Sequence, residues 1–367
     1  MSQAIGGQVL KRFPEGISGK PEAKPGVSGP FVFERLSGFC INREGSVKAL
    51  ITGIGGFVGG HLARRLLLQQ TVEVSGITYF PVDQHKDLSE AGVRLFHINL
   101  TDEQAVGRVL AEVRPDHIYH LAAQSFVPES FEDPWGTLSN NILAQLNLLQ
   151  QMIKLDIDAR ILVVSSAEIY GPVSPDEVPI NELHPLKPPS PYSVSKVAQD
   201  MLGLQYFLSH HVAAIRVRPF NQIGPGQSKR FVAPAFASQI AAIEAGQQDP
   251  VLYVGNLGAK RDFTDVRDMV RAYELVMQLG EPGDVYNIGS GEAHSIQELL
   301  DTLLYLTDRS IEIQVDQARM RPVEVPIIVC DPAKMYAATG WKPGFTFEQT
   351  LSDVLDDWRS RIRAGGN

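Results

Sequence analysis

A chain of 367 residues with 44% hydrophobic and 20% charged content has the composition of a soluble globular protein, long enough for two domains or for one large domain with an insertion. The formal charge of −9 leaves no basic stripe for nucleic acid, and the longest apolar runs fall far short of the roughly 20 residues that span a bilayer, so neither is an expected partner. Two distant cysteines, Cys40 and Cys330, without CxxC spacing, and a start lacking the apolar core of a secretory signal, fit a reducing cytoplasm and argue against a disulfide framework or a zinc site.

Residues 1–46 mix Gly, Pro, Ser and Lys without a sustained period and are expected to form a flexible arm, in which FVFERL at 31–36 is the one segment apolar enough to dock. From Val47 the texture changes. VKALITG, VEVSGITYF, VRLFHINL, HIYHLAA and RILVVSS read as apolar strands, separated by amphipathic stretches such as HLARRLLLQQ, DEQAVGRVLAEV and NILAQLNLLQQMIKL. Continuous apolar strands alternating with helices are what a parallel sheet covered on both faces requires. The expectation is a doubly wound α/β domain over 47–225, joined by a later strand near 284–290. Residues 226–360, with shorter helices and Pro- and Gly-rich loops, mainly form a smaller mixed α/β lobe.

The first strand runs into TGIGGFVGGHL, where Gly53, Gly56 and Gly59 stand as GxxGxxG between strand and helix. Such a turn needs glycine where φ is positive or where a phosphate approaches the backbone, and the helix start offers free N–H groups and a favourable dipole. A pyrophosphate fits there. The second strand ends in Thr78 and Tyr79 rather than the acid expected for NAD or the basic residues expected for NADP. Arg64 and Arg65, on the helix after the first strand, tilt the expectation slightly to NADP, with NAD left open.

Ser165 and Ser166 lie where the strand RILVVSS runs out, and ligands of parallel sheets sit at such carboxyl ends. In SPYSVSK, Ser190 can cap a helix with Pro191 in its first position, so that Tyr192 and Lys196 fall one turn apart on the same face. A phenol titrates near pH ~10, and a cationic lysine beside it stabilises the phenolate, so Lys196 is expected to lower the pKa of Tyr192. His117 and His120 point to opposite faces of a predicted strand, so no metal site is expected from them.

TGIGGFVGG, HLAAQS, SSAEIYG, the YxxxK of SPYSVSK and RPFNQIGPGQ together resemble the extended short-chain dehydrogenase/reductases acting on nucleotide sugars, over about residues 47–360. The later segments, DFTDVRD after Arg261 among them, resemble the GDP-mannose branch: GDP-4-keto-6-deoxy-mannose reductases first, GDP-mannose 4,6-dehydratases second. The resemblance implies a Rossmann sheet with a substrate-binding lobe. It also implies a nicotinamide cofactor touching Gly53, Gly56, Phe57, Val58, Gly59, Leu100, Ala122, Ala123, Gln124, Tyr192, Lys196 and Pro219. Ser166 and Tyr192 would serve the substrate carbonyl, and Lys196 the cofactor ribose. Gln124, Ser166, Glu168, Asn221, Arg261, Arg321 and Glu324 would hold a nucleotide sugar. Asn99 departs from the Asp that relatives often carry near the adenine.

The implied reaction is reduction of the C4 ketone of GDP-4-keto-6-deoxy-D-mannose. A dehydratase would need a carboxylate base beside the ring, a place Glu168 can fill, and a dinucleotide sensor without turnover is a third reading. The Leu stripe of NILAQLNLLQQM is helix core or, by the resemblance, part of a helix pair that joins two subunits.

Overall fold

A computed structural model of the chain describes residues 46–319 and 325–365. The expected arm, except its last residue, and both Arg321 and Glu324 lie outside the described residues. Seven strands form the central sheet: β1 Val47–Thr52, β2 Val72–Thr78, β3 Arg94–His97, β4 His117–His120, β5 Arg160–Val164, β6 Ala214–Pro219 and β7 Val285–Ile288. Their order is β7-β6-β5-β4-β1-β2-β3, with every neighbouring pair parallel and Ala49 of β1 set between Val74 of β2 and His117 of β4. The order reverses at β1, so a crevice opens there beyond the carboxyl ends of the strands.

The unbroken apolar strands follow from burial on both faces. Along β1, β4 and β5 the side chains alternate. Ile51, Tyr119 and Leu162 face α1 (Phe57–Leu67) and a later helix, while Leu50, Ile118, Ile161 and Val163 face α2 (Glu103–Val113), α3 (Pro134–Lys154) and α4 (Pro191–His210). Asp102 starts α2 by accepting from the N–H groups of Gln104 and Ala105. α4 begins as its sequence implies: Ser190 and Ser193 form a reciprocal cap, with Pro191 at the first position.

The smaller lobe has its own core, where α5 (Val232–Glu244) meets Leu252, Val254, Phe263, Leu300, Leu351 and Trp358. The chain leaves and rejoins the sheet in between. α6 (Val266–Leu279), capped by Asp265, lays Met269, Val270 and Tyr273 on the first face of the sheet, and β7 then pairs with β6.

One buried ion cluster fastens α4 to the sheet. Asp200 accepts from Arg216 Nη1 and Arg218 Nε, each at 2.8 Å, and all three side chains are buried. Arg218 also donates to the Tyr170 hydroxyl and to the Glu182 carbonyl, both at 3.0 Å. Removing the single acid strands two guanidinium groups away from water, a loss of about 3–5 kcal/mol. Asp200→Ala is therefore expected to lower the urea-unfolding free energy by about that amount; a loss within about 1 kcal/mol, as for an exposed pair, would contradict it.

Candidate active site

β1 delivers the chain to Gly53, whose φ of +70° suits glycine, and a Cβ there would sit 2.9 Å from the Ala122 backbone. A Cβ on Gly59 would lie 2.3 Å from the Gly53 carbonyl oxygen, so strand end and helix start touch through backbone alone. Gly56 begins α1 with no side-chain acceptor, which leaves the first-turn N–H groups for a ligand. From this turn a cleft of about 890 Å³ runs along the carboxyl ends of the strands. Its lining includes Gly53, Gly56, Phe57, Val58, Gly59, Leu100, Ala122, Ala123, Gln124 and Pro219, together with Ser166, Glu168, Tyr192, Lys196 and Asn221. Three acceptors on its walls, the Oε1 atoms of Gln124, Gln222 and Gln227, are buried with no hydrogen-bond partner among the described residues. A glycine turn that no side chain could replace and unsatisfied acceptors in a long cleft fit a dinucleotide and a polar substrate.

Ser166, Tyr192 and Lys196 form a trio where β5 meets α4. Ser166 leaves β5 in extended conformation, and its hydroxyl accepts from the Glu168 N–H at 3.2 Å and lies beside the Tyr192 phenol. Lys196 Nζ donates to the Val164 carbonyl at 2.9 Å and lies 5.9 Å from the centre of the Tyr192 ring, while Ser165 Oγ donates to the Lys196 carbonyl. Burial pushes Tyr192 up to about 12, with Glu168 adding to the rise and the Ser166 hydroxyl opposing it. Burial likewise pulls Lys196 down to about 7. The expected lowering of the phenol by lysine is therefore not what this site holds: water is excluded from both groups, and each charged form is penalised.

That penalty has a stability consequence. Between about pH 7 and the ordinary lysine value of 10.5, the folded chain holds less of the Lys196 proton than the unfolded chain does, so this residue makes stability rise with pH across that window. Lys196→Met is expected to raise Tm relative to wild type by more at pH 7 than at pH 10. An equal difference at both pH values would show that the burial cost is absent.

A buried polar network holds the trio. His120, kept neutral because burial pulls its pKa down to about 3, lies 2.8 Å from the Thr52 hydroxyl through Nδ1 and takes a hydrogen from Gln199 through Nε2. Asn141 of α3 accepts from the Gln124 N–H and donates to the Gln124 carbonyl and to Ser195 Oγ. Motif spacing did not point to Asn141 or Gln199. The available signal was a polar residue on an otherwise apolar helix face.

At the other end of the cleft, Thr78 and Tyr79 line the wall as expected, and the Thr78 hydroxyl lies 3.1 Å from His85 Nε2. Arg64 pairs with Asp87 at 2.6 Å, and Arg65 turns to Glu274 of α6. Arg261 is buried beyond the cleft lining, with its guanidinium donating to the carbonyls of Lys260 and Val325.

The model of the family described as GDP-mannose 4,6 dehydratase matches residues 50–354. The chain belongs to this family. Within the GDP-mannose 4,6-dehydratase family, it is 38% identical over 316 residues to the GDP-6-deoxy-D-mannose reductase of Pseudomonas aeruginosa, covering 86% of this chain and 98% of that protein. It is 32% identical to GDP-mannose 4,6 dehydratase 2 of Arabidopsis thaliana, covering 84% and 86%. Among solved structures, RMD from Pseudomonas aeruginosa complexed with NADPH superposes with a TM-score of 0.76 at 36% identity, covering 86% of this chain and all of that one. The NAD complex of the UDP-glucose 4-epimerase from Thermus thermophilus gives 0.76 at 30% identity, covering 85% and 99%. This family member thus shares the extended short-chain dehydrogenase/reductase fold along nearly its whole described length.

Proposed function

We propose that this enzyme reduces the C4 ketone of GDP-4-keto-6-deoxy-D-mannose with NADPH or NADH, NADPH being favoured, to give a product of the GDP-rhamnose or GDP-6-deoxy-talose type. The observation that carries the choice is the 38% identity to a GDP-6-deoxy-D-mannose reductase over 98% of that protein, together with the NADPH held by its structural neighbour.

When bound, the reduced nicotinamide supplies the hydride. The chain supplies the rest. N–H groups at the start of α1 bind the cofactor pyrophosphate, and Lys196 holds the ribose. Ser166 donates to the ketone oxygen and fixes it beside Tyr192, which gives its phenolic proton to that oxygen as negative charge develops. The burial that raises the Tyr192 pKa keeps this proton in place at neutral pH. Asn221 and Gln124 hold the sugar and nucleotide from the cleft walls, and Arg321 and Glu324 are assigned to the nucleotide end. Residues 47–225 with 284–290 serve the cofactor, and 226–360 mainly serve the substrate. Leu143, Ile153, Met201 and Leu208, exposed on the contacting helices α3 and α4, make a second copy of the chain the expected partner. No described helix is long and apolar enough to cross a membrane, and the cytoplasm is the assigned location.

The second reading is the dehydratase, favoured by Glu168 in the cleft and by the dehydratase relatives. Incubation with GDP-mannose alone, and separately with GDP-4-keto-6-deoxy-mannose plus NADPH or NADH, decides between them. Oxidation of cofactor only with the keto sugar is expected; conversion of GDP-mannose alone would replace the reductase by the dehydratase. Turnover of neither would leave a dinucleotide sensor.

A further inference from the structure

Two phosphates joining nucleoside and sugar bring charge that a cleft accepts only opposite a cation with directed donors. Among the described residues lining the cleft, the lysines and arginines are Lys196 and Arg230. Lys196 is committed to the reacting end, beside Tyr192, and is bonded to the Val164 carbonyl. Arg230 stands on the wall contributed by the smaller lobe, just ahead of α5, and is half exposed. Its guanidinium lies over the ring of Phe126, 3.9 Å from the centroid, and Nη2 meets Glu129 Oε2 at 2.5 Å. Phe231 closes against Phe126 edge to face, with centroids 5.9 Å apart. Phe126 and Glu129 follow β4, so this contact reaches from one wall of the cleft to the other.

We propose that Arg230 binds the diphosphate of the nucleotide sugar, exchanging the Glu129 carboxylate for a phosphate. The inference rests on the nucleotide-sugar reading above. The guanidinium is planar, and the Phe126 face holds that plane, so the fork of donors stays aimed into the cleft when the acid lets go. A carboxylate offers the same pair of acceptor oxygens as a phosphate but carries less charge, which makes it a displaceable stand-in. Arg230 would add to Arg261 and Arg321, to which the sequence motifs assign the phosphates; the Arg261 guanidinium donates to the Lys260 and Val325 carbonyls.

The test is calorimetric titration of the full-length protein and of Arg230→Met, Arg230→Lys and Glu129→Gln variants with GDP, guanosine and NADP+. Arg230→Met is expected to weaken GDP binding about 10- to 100-fold while leaving guanosine and NADP+ unchanged, the loss of a charge-assisted contact. Arg230→Lys should recover part of it, and Glu129→Gln should tighten GDP severalfold by removing the competitor. Unchanged GDP affinity in Arg230→Met overturns the proposal, as does parallel loss of GDP and NADP+, which would mark Arg230 as a strut between the walls. Glu129→Gln weakening GDP would overturn the exchange. Failure of the wild-type chain to bind GDP would overturn the nucleotide-sugar reading itself.

Discussion

Tyr192→Phe is expected to lower kcat for reduction of the keto sugar by about 10²- to 10⁴-fold, the usual worth of a positioned general acid. Affinity for NADP+ should stay within about a factor of three, because the lost group is one that acts only as charge develops on the substrate oxygen. Phenylalanine keeps the ring in its buried place on the first turn of α4 and removes only the hydroxyl that reaches Ser166. Single-turnover oxidation of NADPH, with cofactor binding measured separately, checks both halves. Turnover within tenfold of wild type would take the proton-donor role from Tyr192.

Gly59→Ala is expected to cost cofactor binding more than about 100-fold and stability about 1–3 kcal/mol, as overpacking does. The added carbon would meet the Gly53 carbonyl oxygen at 2.3 Å and Ile54 Cα at 2.7 Å. Both are backbone atoms, so no rotamer relieves the clash, and α1 must back away from the turn that offers its N–H groups. Gly60→Ala is the control one residue on. Its Cβ would meet the tip of the Arg64 side chain at 3.3 Å, which can swing aside. NADP+ titration and urea unfolding of the two variants should therefore separate cleanly. Equal behaviour would mean that the close approach of strand and helix is not what shapes the pyrophosphate site.

The fold was legible because both of its requirements leave marks in the chain. Burial on two faces writes unbroken apolar strands such as RILVV, and a phosphate turn writes glycines where a Cβ has no room. Tyr192 and Lys196 were legible for a local reason, since a Ser-Pro cap and a four-residue step fix their shared face whatever surrounds them. The rest depends on residues distant in sequence. Asn141 meets Gln124 and Ser195 only after α3 and α4 have packed, and Arg230 meets Phe126 across more than a hundred positions. Electrostatics were harder still. Spacing put a cation near the phenol, but the sign of the net shift came from how completely the assembled site excludes water.

The chain's excursion between β6 and β7 bears on how the molecule is made. At Pro219 the sheet still has an open ladder on β6 and an apolar face without its cover, and both are supplied from far downstream. β7 arrives at Val285, and Trp341, buried on that same face, donates to the Asp268 carbonyl at the start of α6. A ribosome must therefore release more than a hundred residues beyond β6 before the sheet and its cover can close. Until then the nascent chain carries an exposed strand edge of the kind that pairs with other chains. A fragment ending at residue 225 is expected to aggregate.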